Sequence, residues 1–259
     1  MAIYGDLENF MTEITFENVA AQQEHVPTLR EFRAAVDRLT NRKEAAIIKM
    51  IYLTASRCSE VCTKVTPWEK SHETTREYGK GLNCSIENYD LGEGKKEKLL
   101  LVNILVAKRL KKPKNEHDKP QLVSRTVALP ISPVFEPWTS ELLWFMKQQH
   151  EDHKKDPKWK YSQGLQLNMT RMTIQNIVKR NLKIFFPTVH PHSLRHCRVN
   201  HLITAYGFDP YQVCAYTGWS MRNTYAGMGI QVSSNLDVYG HLSWRNYVHK
   251  LTVPLSKVI

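Results

Sequence analysis

Apolar residues recur at helical spacing from the first capped segment of the chain. Pro27, Thr28 and Glu31 set up a capping box, in which the Thr hydroxyl and Glu carboxylate satisfy exposed backbone N–H groups. Leu29, Phe32, Val36 and Leu39 then follow on one face. A second helix opens at Asn41, with Glu44 three residues on, and turns Ala46, Ile47, Met50, Ile51 and Leu53 toward a core. It is expected to end near 55–57, and a short helix from Ser59 carries Glu60, Val61 and Val65. The period then shortens. Segments 85–89, 99–106 and 126–129 read as strands from their β-branched and Leu content and the turn residues between them. Residues 108–119, Lys-rich with Pro113 and Asn115, predict a long basic loop between the last two strands. Beyond Pro137 the pattern is helical again: 139–150, a charged loop at 151–160, 170–185, punctuation at Pro187 and Pro191, then 193–206 stopped by Gly207. A last helix has Asp209 as N-cap and Pro210 in the first helical position, and closes at Gly218.

These elements predict an α+β fold, mostly α: a helical bundle with a small antiparallel β-sheet. The expected division is an N-terminal extension over 1–27 and one domain with a C-terminal tail over 28–259. Hydrophobic residues at 42% and charged residues at 24% suit a folded chain and exclude disorder throughout. The longest strongly apolar stretch, 99–107, is broken by Asn103 and is far short of the ~20 residues of a membrane span. The N-terminus lacks a basic segment followed by an apolar one, and the five cysteines form no CxxC pair. Both features predict reduced thiols in the cytoplasm rather than a secreted disulfide framework or a zinc ribbon. Lys and Arg number 36 against 25 Asp and Glu, a net charge of +11 with a pI near 9.4, which points to solubility or to a polyanionic partner, whether DNA, RNA or anionic lipid. Seven of the cations (108, 109, 111, 112, 114, 119 and 125) fall within 105–125 beside only two acids, so that segment is expected to track phosphates.

Four elements carry chemistry in a fixed order. They are Thr54-Ala55-Ser56-Arg57-Cys58-Ser59-Glu60-Val61, then the strand–loop–strand with Lys108, then His192-Ser193-Leu194-Arg195-His196. The fourth is Thr217-Gly218-Trp219, with Val238-Tyr239-Gly240-His241-Leu242 further on. Together they resemble the catalytic domain of the tyrosine recombinases, or phage-type integrases, over about residues 28–247. The family pattern is an Arg in R-x-x-E, a β-hairpin Lys, H-x-x-R, a His or Trp after Gly, and a Tyr nucleophile.

The resemblance implies cleavage and rejoining of DNA strands through a 3′-phosphotyrosyl intermediate, in site-specific recombination or integration of an archaeal or viral mobile element. It assigns Arg57 and Arg195 to the phosphate, where the planar guanidinium fork donates two hydrogen bonds. His192, one helical turn from Arg195, assists proton transfer at the attacking hydroxyl. Lys108, or alternatively Lys111, protonates the departing 5′ oxygen, Trp219 adds an indole N–H and an apolar wall, and Glu60 orients Arg57. Tyr239 is the expected nucleophile on its local pattern, although the usual separation from Trp219 falls on Met228. Tyr225 and then Tyr247 are the alternatives. Arg109, Lys111, Lys112 and Lys114 are expected DNA contacts.

No metal or other cofactor is implied. His192 and His196 have zinc-like spacing, but Ser193 stands where a metalloprotease needs Glu, and no third ligand is evident. Cys58 and Cys197 read as small buried fillers. The implied partners are double-stranded DNA and three further copies in a tetramer; because Arg57 comes early, the expectation is either a minimal or truncated recombinase or an accessory DNA-binding protein that supplies the clamp. No membrane is implied, and the expected location is cytoplasmic and DNA-associated. A type IB topoisomerase, a catalytically inactive DNA-binding relative and a basic RNA-binding protein are the competing assignments.

Overall fold

The computed structural model describes residues 26–62, 82–111, 121–155, 165, 167–187, 189–219 and 243–259, without the side chains of 82, 106–111, 121–123, 153 and 154. Among the described residues the order is α1 (Leu29–Asp37), α2 (Arg42–Thr54), α3 (Cys58–Val61), β1 (Leu82–Gly92), β2 (Lys95–Lys111) and β3 (Gln121–Pro130). There follow α4 (Trp138–Lys155), α5 (Arg171–Leu182), α6 (Pro191–Thr204), α7 (Pro210–Thr217) and α8 (Val248–Leu251), with 3₁₀ turns at Trp244–Asn246 and Leu255–Lys257. The sheet is antiparallel in the order β1-β2-β3, so the fold is mostly helical with one small antiparallel sheet. No helix among these residues is long and apolar enough to cross a membrane.

Helix α2 runs through the centre, with every residue from Ala45 to Thr54 buried. It packs on α4 and α6, while α3 rests on β2 and α7 on β3. This arrangement brings the end of α2, the start of α3, β3, α6 and the end of α7 toward one region. Phe32, Tyr52 and Trp138 form an aromatic centre, with ring centroids 4.5 Å (Phe32–Tyr52) and 5.7 Å (Tyr52–Trp138) apart. Lys49 is buried there because Asp37 and Glu141 hold its ammonium at 2.9 and 2.6 Å.

His201 ties α6 to this centre. Its Nε2 donates to the Pro27 carbonyl and its Nδ1 pairs with the Tyr52 hydroxyl, both at 2.7 Å. Burial pushes its pKa down from 6.5 to about 4, against the opposing Pro27 hydrogen bond. A depressed histidine contributes stability that is complete above its unfolded pKa of 6.5 and is lost as pH falls toward 4. The urea midpoint is therefore expected to drop between pH 7 and pH 5. The His201 share is on the order of 2–3 kcal/mol by pH 4, and a flat profile over that range would contradict the buried neutral ring.

The boundaries differ from the sequence expectation where polar residues continue an element. Strand β2 does not stop before a loop at Lys108 but runs to Lys111, which pairs with Gln121 after a register irregularity between Leu105 and Leu110. A hairpin ladder satisfies backbone groups whatever the side chains are, so lysine-rich sequence can remain strand. Helix α4 likewise runs through 151–155, the start of the expected charged loop, with Lys43 bridging to Asp152 at 3.0 Å. Pro191 opens α6 at its first position, under a His190 cap, instead of only punctuating the approach to it. The capping box at Thr28 and Glu31, and the Asp209 and Gly218 ends of α7, fall where the sequence puts them. The expected extension over 1–27 lies outside the described residues except for Val26 and Pro27.

Candidate active site

Helix α2 ends in a sharp turn. Ala55 takes a left-handed conformation at φ 47°, which is uncommon for a residue with a Cβ. The Ala55 carbonyl accepts from both Arg195 Nη1 (2.5 Å) and Arg125 Nη2 (3.2 Å). Two residues later Arg57 caps α3. Its backbone N–H donates to Glu60 Oε2 and its Nη1 to Oε1, each at 2.9 Å. Glu60 is buried, and Arg125 Nη2 and Arg195 Nη1 approach its Oε2 at 3.6 and 3.9 Å. Three arginines from α3, β3 and α6 thus surround one carboxylate.

The end of α7 completes the shell. Its last carbonyls have no intrahelical partner and carry the negative end of the helix dipole. The Tyr216 carbonyl accepts from Arg125 Nη1 (2.6 Å) and the Thr217 carbonyl from Arg195 Nη2 (3.0 Å). Helix-end carbonyls therefore stand in for the water that Arg125 (6% exposed) and Arg195 (0%) have lost. Gly218, left-handed at φ 70°, turns the chain so that the Trp219 ring lies 5.4 Å from the Arg195 guanidinium carbon.

The charge does not balance locally. Burial alone would raise the Glu60 pKa, yet Arg125, Arg195, the Arg57 N–H and the Arg57 guanidinium hold it below the ordinary carboxylate value. Arg195 shows the reverse: desolvation, then repulsion from Arg125 and Arg57, pushes it down to about 9 despite Glu60. Arginine keeps its proton in proteins, so the shift reflects a surplus of positive charge around Glu60. The Nε groups of Arg125 and Arg195 are buried without a hydrogen-bond partner.

His192 sits on the first turn of α6. Its ring meets that of His196 edge-on at 4.4 Å and lies parallel to that of His190 at 6.3 Å. Partial burial, then His196, Arg195, His190 and Arg57, push it down to about 4, so it is neutral at pH 7.

Of the residues singled out from sequence, Arg57, Arg195, His192 and Trp219 are thus brought into one neighbourhood, with Glu60 as the orienting group. Lys108, Arg109 and Lys111 lie on β2 with side chains outside the described residues, and Lys112, Lys114, Tyr225, Tyr239 and His241 lie outside them altogether. Tyr247 is a core residue: its hydroxyl donates to the Thr126 carbonyl at 2.9 Å and accepts from the Ala128 N–H, and burial raises its pKa. Cys58 and Cys197 are held as thiols, pushed up by burial to about 12 and about 11.

Arg125 was missed as a site residue. Composition places it among the phosphate-tracking cations, whereas the fold buries it beside Glu60. The signal was the strand period: residues 125, 127 and 129 share one face of β3, and Val127 and Leu129 are core residues.

No protein-family model matches the sequence, and no curated protein does. Among solved structures the chain is similar to the XerH site-specific recombinase bound to difH substrate in a pre-cleavage complex. The identity there is 17% and the TM-score 0.42, over 76% of this chain and 47% of that one. It is also similar to the Tn1549 transposon integrase in complex with circular intermediate DNA, at 16% identity and TM-score 0.43, over 87% of this chain and 66% of that one. The chain thus spans about half the length of the XerH recombinase.

Proposed function

We propose that this chain breaks and rejoins DNA strands through a 3′-phosphotyrosyl intermediate, in site-specific recombination or in the integration of a mobile element. The observation that carries the reading is the group of three arginines around a single carboxylate, short of negative charge, with a neutral imidazole on the adjoining turn. A phosphodiester is a monoanion whose attack builds charge on its non-bridging oxygens. Preorganised guanidinium donors are suited to that charge.

In the proposed reaction the Tyr239 oxygen attacks phosphorus while His192 assists transfer of the phenolic proton to solvent. The bond to the 5′ oxygen breaks, and Lys108 protonates the leaving alkoxide, with Lys111 as the alternative donor. A second 5′-hydroxyl then attacks the phosphotyrosine, releasing the phenol and resealing the strand. Phosphoester bond energy is conserved, so no nucleotide is consumed. Residues 28–259 act as the catalytic domain after the 1–27 extension. The working unit is a tetramer on two duplexes, with Arg109, Lys111, Lys112 and Lys114 tracking phosphates.

A second reading, a DNA-binding module without the chemistry, has a specific observation behind it: Arg195 is fully buried with both Nη groups given to carbonyls. Trapping on nicked duplexes of randomised sequence separates the two. A covalent protein–DNA adduct supports the enzyme; its absence, with DNA binding retained, supports the binding module. In either case affinity is expected to fall steeply with salt. Six phosphate contacts correspond to a loss on the order of 10³-fold between 50 and 200 mM. A flat salt response removes nucleic acid from both readings.

A further inference from the structure

We propose that Arg125 is a positioning residue of the active site, a third arginine that acts by holding the groups that orient Arg57 and Arg195; this rests on the strand-cleavage reading above. Arg125 holds the partners of the other two. It shares the Ala55 carbonyl with Arg195, approaches the Glu60 oxygen that accepts the Arg57 N–H, and binds the Tyr216 carbonyl next to the Thr217 carbonyl that holds Arg195. These contacts tie the end of α2, the start of α3 and the end of α7 to a single guanidinium.

The sheet anchors that guanidinium. Arg125 lies on β3 paired with Ile104 of β2, the central strand, so its Cα is set by a ladder on one side and the core on the other. At 6% exposure, with both Nη groups on protein acceptors, it acts through the elements that it ties together. A planar fork spans acceptors on separate elements, whereas the single Nζ of lysine does not reproduce that geometry. Lysine at 125 would keep the charge and lose the simultaneous hold, and a misplacement of about 1 Å at a reacting centre costs on the order of 10²-fold in rate.

The test compares Arg125→Lys and Arg125→Met with the unaltered chain, on the duplex the latter selects from a randomised pool of nicked DNA. Adduct formation is read in single turnover at saturating DNA, alongside DNA affinity and melting temperature. Each chain is also assayed on the same duplex with a methylphosphonate at the scissile position, where a methyl group replaces one non-bridging oxygen and removes its charge. The expected result is a folded Arg125→Lys chain with unchanged DNA affinity and a 10- to 100-fold slower adduct on phosphate, the deficit shrinking on methylphosphonate because less charge needs aligned arginines. Adduct formation at the unaltered rate overturns the inference, as does an equal deficit on both substrates or failure of both variants to fold, since either marks a purely structural arginine. If the unaltered chain forms no adduct on any duplex, the strand-cleavage reading fails first and the inference falls with it.

Discussion

An Arg57→Ala chain is expected to fold and bind DNA almost as the unaltered chain does, yet form the covalent adduct about 10²–10³-fold more slowly. Arg57 is the arginine that can be removed cleanly. Its side chain is 22% exposed and its recorded ion-pair partner is Glu60, which keeps Arg125 and Arg195 nearby and still accepts the residue-57 N–H. Arg195 is a poorer probe. It is fully buried, and alanine there would strand the Thr217 carbonyl as well as half of the Ala55 contact. The small effect on binding follows because one phosphate contact among several sets only a fraction of the electrostatic affinity. The large effect on rate follows because the donor acts where charge develops. Single-turnover adduct formation, DNA affinity and the melting temperature are the three measurements. An unchanged rate with an intact fold would remove Arg57 from the chemistry, and Arg57→Lys should restore part of the lost rate by returning the charge without the fork.

How much of this was legible depends on the range of the physics. Caps are local, so Thr28 with Glu31, Asn41, and Asp209 with Gly218 marked helix ends directly. Arg57 and Arg195 were marked by residue type and order, but their meeting at Glu60 depends on α2 lying against α6, which no spacing encodes. The extension of β2 beyond Lys108 was hidden because backbone pairing is indifferent to lysine side chains. Arg125 was hidden for a different reason. Counting charge over 105–125 averages a buried strand residue with its neighbours, whereas following the face of Val127 and Leu129 separates it from them. Arg198 left no signal at all. It is buried among Tyr52, Tyr206 and Tyr216, with ring centroids 5.2 to 5.3 Å from its guanidinium carbon, and donates to the Tyr216 hydroxyl. Those tyrosines come from three separate stretches of sequence.

Tyr239→Phe is expected to abolish the adduct, because a phenyl ring has no oxygen to join to phosphorus, whereas Tyr225→Phe and Tyr247→Phe should retain it. A free tyrosine has a pKa near 10, so about one in a thousand is phenolate at pH 7. The chain supplies two remedies near the phosphate. His192, neutral at pH 7, can accept a hydrogen bond from the phenol, and the excess of guanidinium over carboxylate lowers the energy of any oxyanion brought beside it. Tyr247 has neither remedy. Burial raises its pKa and its hydroxyl is spent on the Thr126 carbonyl, so Tyr247→Phe should act on stability alone, by about 1 kcal/mol. Mass spectrometry of the DNA-linked peptide locates the bond. An adduct that survives Tyr239→Phe and disappears in Tyr225→Phe would move the nucleophile to Tyr225 and leave the arginine site as argued. An adduct that survives all three substitutions would show that none of these tyrosines carries the DNA, and the proposed covalent step would have to be rebuilt around another residue.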